Sequence, residues 1–269
     1  MILRILVLLT LVVLAPLAQA SDRFIVVQST TSTENSGLYG WLLPQFTAES
    51  GIEVRVVAVG TGQALRNARN GDGDVLIVHA RAAEDAFVAD GHGVKRHDLM
   101  VNDFVIVGPR ADPAGLKESS NVTGALKRIA ETGAIFVSRG DDSGTHKKEL
   151  ALWRAAGLDP TGDDGAWYRE SGSGMGATLN IAIGMDAHTL TDRASWVSFG
   201  NKGHHAILVE GGPALQNPYG VILVNPEVHP GVRAGDGQIF IDWLLSPAGQ
   251  AAIAAFRVNG QQLFFPSAR

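Results

Sequence analysis

Ser138-Arg139-Gly140-Asp141-Asp142-Ser143-Gly144-Thr145-His146-Lys147-Lys148-Glu149 joins an apolar run of β type, Ala134-Ile135-Phe136-Val137, to an amphipathic run through Leu150, Leu152, Trp153 and Ala156. A strand therefore ends in a loop of small donors, and a helix starts between Asp142 and Thr145. Ser, Thr and Asp are the residue types that cap such a start. The first amides of a helix have no partner within it and carry the positive end of its dipole. Glycines let the backbone approach closely and Arg139 adds a fixed cation, so the loop has the composition of an anion site. An ordinary strand–turn–helix with Arg139 paired to Asp141 or Asp142 fits this segment equally well.

Two further junctions favour the anion. Arg23-Phe24-Ile25-Val26-Val27-Gln28 reads as a strand and runs straight into Ser29-Thr30-Thr31-Ser32-Thr33, ahead of a helical pattern in Leu38, Trp41, Leu42 and Phe46. Five consecutive hydroxyl residues exceed what a single cap needs. Pro44 is expected to kink that helix or to end it. Val54-Arg55-Val56-Val57-Ala58-Val59 likewise runs into Gly60-Thr61-Gly62-Gln63-Ala64. Three strand ends rich in small donors fit one polyhedral oxyanion held by hydrogen bonds.

These segments, with Ser36-Gly37-Leu38, Gly174-Met175-Gly176-Ala177-Thr178-Leu179, Thr189-Leu190-Thr191-Asp192-Arg193 and the tail Asp242-Trp243-Leu244-Leu245-Ser246-Pro247-Ala248-Gly249-Gln250, resemble the tungstate-binding component of Tup-type ABC transporters. The likeness covers nearly the whole chain after the leader, in the same order. Ser29 stands where that family more often has Thr, a swap that keeps the hydroxyl. The resemblance implies a type II periplasmic binding protein: α/β, two lobes, each a mainly parallel sheet flanked by helices, with the ligand in the cleft. It also implies an oxyanion, tungstate above molybdate, sulfate or phosphate, and a membrane ABC permease as partner. Arg139 would supply charge, and Thr30, Thr31, Ser32, Thr61, Ser143, Gly144 and Thr145 would supply hydroxyl or backbone donors. No cofactor, resident metal or nucleic acid is expected, and the protein is expected to be a monomer.

The amino terminus reads as an export signal. Met1-Ile2-Leu3-Arg4 is short and positive, Ile5 to Leu14 is apolar, and Ala18-Gln19-Ala20 is a small-x-small cleavage site before Ser21. That run is well short of the roughly 20 residues a bilayer needs. The chain has no cysteine, so neither a disulfide nor a lipid-bearing thiol is expected and the exported form should be free in a periplasm. Cleavage removes one cation, Arg4, taking the 22 basic residues to 21 against 27 acidic. A net negative chain holds an anion through local dipoles and one or two arginines, not by long-range attraction, and is a poor match for nucleic acid.

Strands and helices alternate over 23–28, 37–49, 53–59, 62–70 and 74–79, the order of a parallel sheet. Asn102-Asp103-Phe104-Val105-Ile106-Val107-Gly108-Pro109 and Asn217-Pro218-Tyr219-Gly220-Val221-Ile222-Leu223-Val224 share a pattern of polar turn, aromatic and aliphatic strand, as paired crossings between lobes would. The expected division is leader 1–20, lobe 1 over 21–103, lobe 2 over 104–220 and a return to lobe 1 over 221–269.

Several motifs carry less. Gly60-Thr61-Gly62-Gln63-Ala64-Leu65 has Leu65 where a dinucleotide fingerprint needs Gly or Ala. Ser143 in an exported hydrolase is the rival reading, although no G-x-S-x-G occurs. His79, ending the strand Val75-Leu76-Ile77-Val78, reads as a hydrogen-bonded lobe residue, not a ligand. Ser171-Gly172-Ser173-Gly174-Met175-Gly176 either backs the ligand shell or is a plain loop, and Arg193 is expected to pair with Asp192 rather than to add a second cation near the cleft.

Overall fold

The computed structural model describes residues 23–161 and 166–268. The leader and its cleavage point between Ala20 and Ser21 lie outside the described residues. The chain runs β1 (Phe24–Thr30), α1 (Thr31–Asn35), α2 (Leu38–Ser50), β2 (Glu53–Val59), α3 (Thr61–Arg69), β3 (Val75–Val78), α4 (Arg81–Ala89) and the long β4 (Gly93–Pro109). There follow α5 (Val122–Thr132), β5 (Phe136–Ser138), α6 (Gly144–Ala155), β6 (Tyr168–Glu170), α7 (Met175–Gly184), β7 (Thr189–Asp192), α8 (Arg193–Ser198) and β8 (His205–Val209). β9 (Gln216–Val224), α9 (Ala234–Leu245) and α10 (Pro247–Ala255) close the chain with short strands such as Phe265–Pro266.

The architecture is mixed α/β in two lobes. In the first lobe the strands lie in the order β4-β9-β3-β1-β2. β1 pairs in parallel with both β2 and β3, whereas β9 is antiparallel to β3 and to β4. In the second lobe β7 and β8 pair antiparallel to β4, and β5 and β6 pair in parallel. The sheets are therefore mixed where the sequence suggested mainly parallel ones. The cause is β4. Its first part pairs β9 and its last part pairs β7 and β8, so one strand serves both lobes and imposes antiparallel neighbours on each.

Two apolar cores follow from this arrangement. Ile25, Val27, Val75 and Ile77 pack with Leu38, Leu42 and Phe46 of α2 and Phe240 of α9 in the first lobe. Phe104, Ile106, Phe136, Leu152 and Trp153 pack in the second. All four residues of β3 are buried because it is central and covered on both faces. α2 continues through Pro44, so no helix boundary falls there. Pro44 and Gly40, one turn before it, both lie exposed, so the carbonyl that proline leaves unpaired faces water.

Candidate functional site

Thr30, Thr31, Ser32, Thr61, Arg139, Ser143, Gly144 and Thr145, drawn from three distant parts of the chain, line one narrow cavity together with Val59, Gly60 and His79. Each of the three junctions contributes the start of a helix. Thr30 caps α1 by accepting from the Thr33 amide, and Ser143 caps α6 by accepting from the His146 amide at 3.2 Å. Gly60 precedes α3 in extended backbone with no side-chain cap. α3 and α6 bring dipoles as well as amides, while the single turn of α1 brings little more than its amides. The walls stand too close together to admit a drug-sized molecule, so a ligand held here is a small ion.

Arg139 is 4 % exposed although charged. Its Nε donates to Asp141 Oδ2 at 3.1 Å and its Nη2 to the same oxygen. Nη1 has no hydrogen-bond partner among the described residues. Asp141 thus fixes the guanidinium without using all its donors, and Asp142 is turned away to Lys147 at 3.1 Å. The loop needs unusual backbone: Gly140 has φ of 60° and a Cβ there would come within 2.8 Å of the Glu170 side chain. Ser171 Oγ and the Ser173 amide both donate to the Arg139 carbonyl, at 3.2 and 3.3 Å. The Gly172–Gly176 loop therefore holds the main chain of Arg139 and does not line the cavity.

The hydroxyls are set up to donate. Thr61 Oγ1 accepts the Gly144 amide at 3.1 Å, which ties α3 of one lobe to α6 of the other. Ser143 Oγ accepts the His146 amide, and among the described residues neither hydroxyl hydrogen is taken by an acceptor. Thr145 Oγ1 is buried with no hydrogen-bond partner among the described residues. Among the described residues no carboxylate lines the cavity. Such a wall of donors matches an anion that only accepts. Ser143 Oγ has no imidazole within hydrogen-bond reach among the described residues; His146 Nδ1 accepts the Asp142 amide instead.

Two placements differ from the sequence reading. Arg193 does not pair with Asp192. Its Nε and Nη2 donate to Asp103 at 2.8 and 2.6 Å, and Nη2 also lies 2.7 Å from Glu210. Asp192 is taken up in capping α8 through the Ser195 amide at 2.9 Å, and the pairing of β4 with β7 sets Phe104 beside Asp192, so Asp103 is at hand. Arg193 lines a separate open groove of about 1260 Å³ with its charge already matched. His79, read as a lobe residue, stands in the cavity wall, where Nε2 lies 3.2 Å from Ser32 Oγ and Nδ1 lies 3.0 Å from Asn217 Oδ1. Burial foremost, with the Arg139 charge against it, takes its pKa down to about 4. Its position at the carboxyl end of β3 was the available signal, since ligands of open α/β sheets sit there.

The contact across the cleft gives a direct prediction. A Cβ on Gly144 would lie 2.9 Å from both His79 Cε1 and Thr61 Oγ1, two buried groups with little room to yield. Gly144→Ala is expected to weaken anion binding about tenfold, a cost of about 1.4 kcal/mol on closure, with little change in the melting temperature without ligand. Isothermal titration of the variant checks this, and unchanged affinity would refute it.

Behind the loop lies a buried carboxyl. Glu149 accepts from Ser138 Oγ at 2.6 Å, Tyr168 Oη at 2.9 Å and Trp153 Nε1 at 3.1 Å. Ser138 Oγ in turn accepts the Gly140 amide at 3.3 Å, so the carboxyl steadies the Arg139 loop. Burial outweighs these bonds and raises its pKa from 4.5 to about 7. The folded protein then holds this proton more tightly than the unfolded chain. Its stabilising contribution is complete below about pH 4.5 and is lost as pH rises through about 7. Between pH 5 and pH 8 the wild-type melting temperature should fall by more than that of Glu149→Gln; parallel curves would show that the group does not titrate there.

The PBP superfamily domain model matches residues 15–248. The tungstate-binding protein TupA of Peptoclostridium acidaminophilum is 47 % identical over 248 residues, covering 91 % of this chain and 86 % of that protein. The chain belongs to the TupA family of the PBP superfamily. Solved members of the family agree with the architecture described above. TupA from Desulfovibrio alaskensis G20 superposes with a TM-score of 0.80 at 46 % identity, over 92 % of this chain and 100 % of that one. The tungstate ABC transporter structure from Geobacter sulfurreducens gives 0.80 at 48 % identity, over 87 % and 98 %.

Proposed function

We propose that this protein is a periplasmic solute-binding protein, not an enzyme, that captures a tetrahedral oxyanion, tungstate first, and passes it to a membrane ABC permease. The observation that carries this reading is the small cavity lined by three helix starts, Arg139 and hydroxyl donors, with no carboxylate in its wall. A fully ionised oxyanion has no proton to give, so a carboxylate would only repel it. Phosphate at neutral pH still carries a proton and is better served by a site with an acceptor. The ranking of tungstate over molybdate, a dianion of the same shape and nearly the same size, rests on the named relatives.

Among the described residues no helix is long and apolar enough to cross a membrane. With the leader removed after Ala20, the mature protein would act as a free monomer. Its lobes would divide near residues 103 and 220, at the crossing where Asn102 pairs with Asn217. Calorimetry of the mature protein against tungstate, molybdate, sulfate and phosphate tests the substrate class. Saturation at a hundredfold over the dissociation constant adds about 2.7 kcal/mol of stability, a rise of about 5–10 °C in a protein of this size. A panel in which phosphate alone binds would overturn the reading.

A further inference from the structure

We infer that His79 matches the proton inventory of the cavity to a fully ionised oxyanion: it takes up a proton from solvent as the anion enters, and this turns the Ser32 hydroxyl from donating to the ring into donating to the anion. The inference rests on the oxyanion reading above.

The geometry decides which ring nitrogen titrates. Asn217 Nδ2 donates to Asn102 Oδ1 at 2.7 Å, and Asn102 Nδ2 donates to Tyr219 Oη at 3.4 Å, so both amides are oriented. Asn217 therefore turns its carbonyl oxygen to His79 Nδ1 at 3.0 Å, and Nδ1 carries a hydrogen in either charge state. Nε2, 3.2 Å from Ser32 Oγ, is the only atom left to gain or lose a proton. In the neutral ring Nε2 is an acceptor and Ser32 must donate to it. The other neighbour of Ser32 Oγ is Thr30 Oγ1 at 3.1 Å, which Ser32 then serves as acceptor. Ser32 thus has its hydrogen turned from the cavity to the ring, as Thr30 has its own turned to Ser32 or Thr33. Once Nε2 is protonated it donates to Ser32 Oγ, and that hydrogen is released.

The charges around the ring point the same way. Arg139 faces it from the loop between β5 and α6 and is matched by Asp141, so the cavity starts near neutral. Arg81, Lys147 and Lys148 line the neighbouring groove that shares His79 and Gly144, and Tyr219 lies against the ring at 4.8 Å. Among the described residues no carboxylate lines either cavity. Burial outweighs the Asn217 hydrogen bond, which favours the charged ring, and the Arg139 charge opposes it, so the pKa of the ring stays low. An opposite charge within about 4–6 Å shifts such equilibria by about one to three pH units, and a dianion brings two charges. Binding and protonation then support each other by linkage.

The test is titration of the mature protein with sodium tungstate at pH 7 and at pH 9, in phosphate-free buffers of differing ionisation enthalpy. Wild type is expected to take up on the order of half a proton per anion at pH 7 and to lose affinity toward pH 9, by up to about tenfold per pH unit. His79→Gln is expected to bind more weakly with no uptake. In wild type carrying ¹⁵N-histidine, saturation with tungstate should move Nε2 of His79 to its protonated shift, a readout that requires no variant to fold. Binding without proton uptake, or uptake that persists in His79→Gln, overturns the inference and leaves the oxyanion reading standing. Absence of binding in every buffer overturns both.

Discussion

Arg139→Ala is expected to weaken oxyanion binding by about ten- to a hundredfold, with the folded protein retained. Hydrogen bonds to charged groups are worth about 1.5–3 kcal/mol each, and each 1.4 kcal/mol is a factor of ten. Among the described residues Arg139 is the only Arg or Lys lining the small cavity. It is almost fully buried, and Asp141 engages it through Nε and Nη2 while Nη1 remains without a partner among the described residues. The loss should therefore fall on binding more than on folding, because Asp141 is partly exposed and also accepts the Ser143 amide at 3.2 Å. Arg139→Lys keeps the charge and loses the planar fork that lets one side chain serve Asp141 and the cavity together, so it should fall between the two. If Arg139 merely braced Asp141, the Ala variant would melt lower yet bind normally per folded molecule. Titration and thermal melts of both variants separate the outcomes.

Trp153→Ala is expected to cost about 3–5 kcal/mol of stability, the range for removing a large aromatic side chain from a core. Trp153 is fully buried in the second lobe. It meets Phe136 edge-on at 5.2 Å and Tyr168 at 6.4 Å, and packs on Trp167 at 5.4 Å. Its Nε1 is one of three donors to Glu149, so the variant loses a hydrogen bond to a buried carboxyl as well as packing. Phe136 lies on β5, the strand that delivers Arg139, so anion affinity should fall together with stability. Denaturant unfolding measures the first effect; a loss below about 1.5 kcal/mol would mean that the cluster repacks around the void.

The local parts of the anion site were written in contiguous sequence. A cap and its helix are settled by residues three apart, which is why Ser143 with His146 and Thr30 with Thr33 lie where hydroxyls follow apolar strands. The same locality made β1, β2, α3 and β3 legible, along with the cation at Arg139. The helix does not end at Pro44 because a proline's cost depends on whether the carbonyl it frees faces water, and that is a property of packing.

What joins distant segments was decided by the tertiary structure alone. His79 and Asn217 are 138 positions apart, and no periodicity announces their bond. Arg193 took Asp103, 90 positions away, over its neighbour Asp192, because Asp192 was committed to a helix cap. The direction of the outer strands likewise followed from β4 serving two lobes. The sequence determined by itself which helix starts could hold an anion, since capping and dipoles act within one turn. Only the fold decided that three of them, one arginine and one histidine meet at a single cavity, since that meeting depends on contacts between residues far apart in the chain.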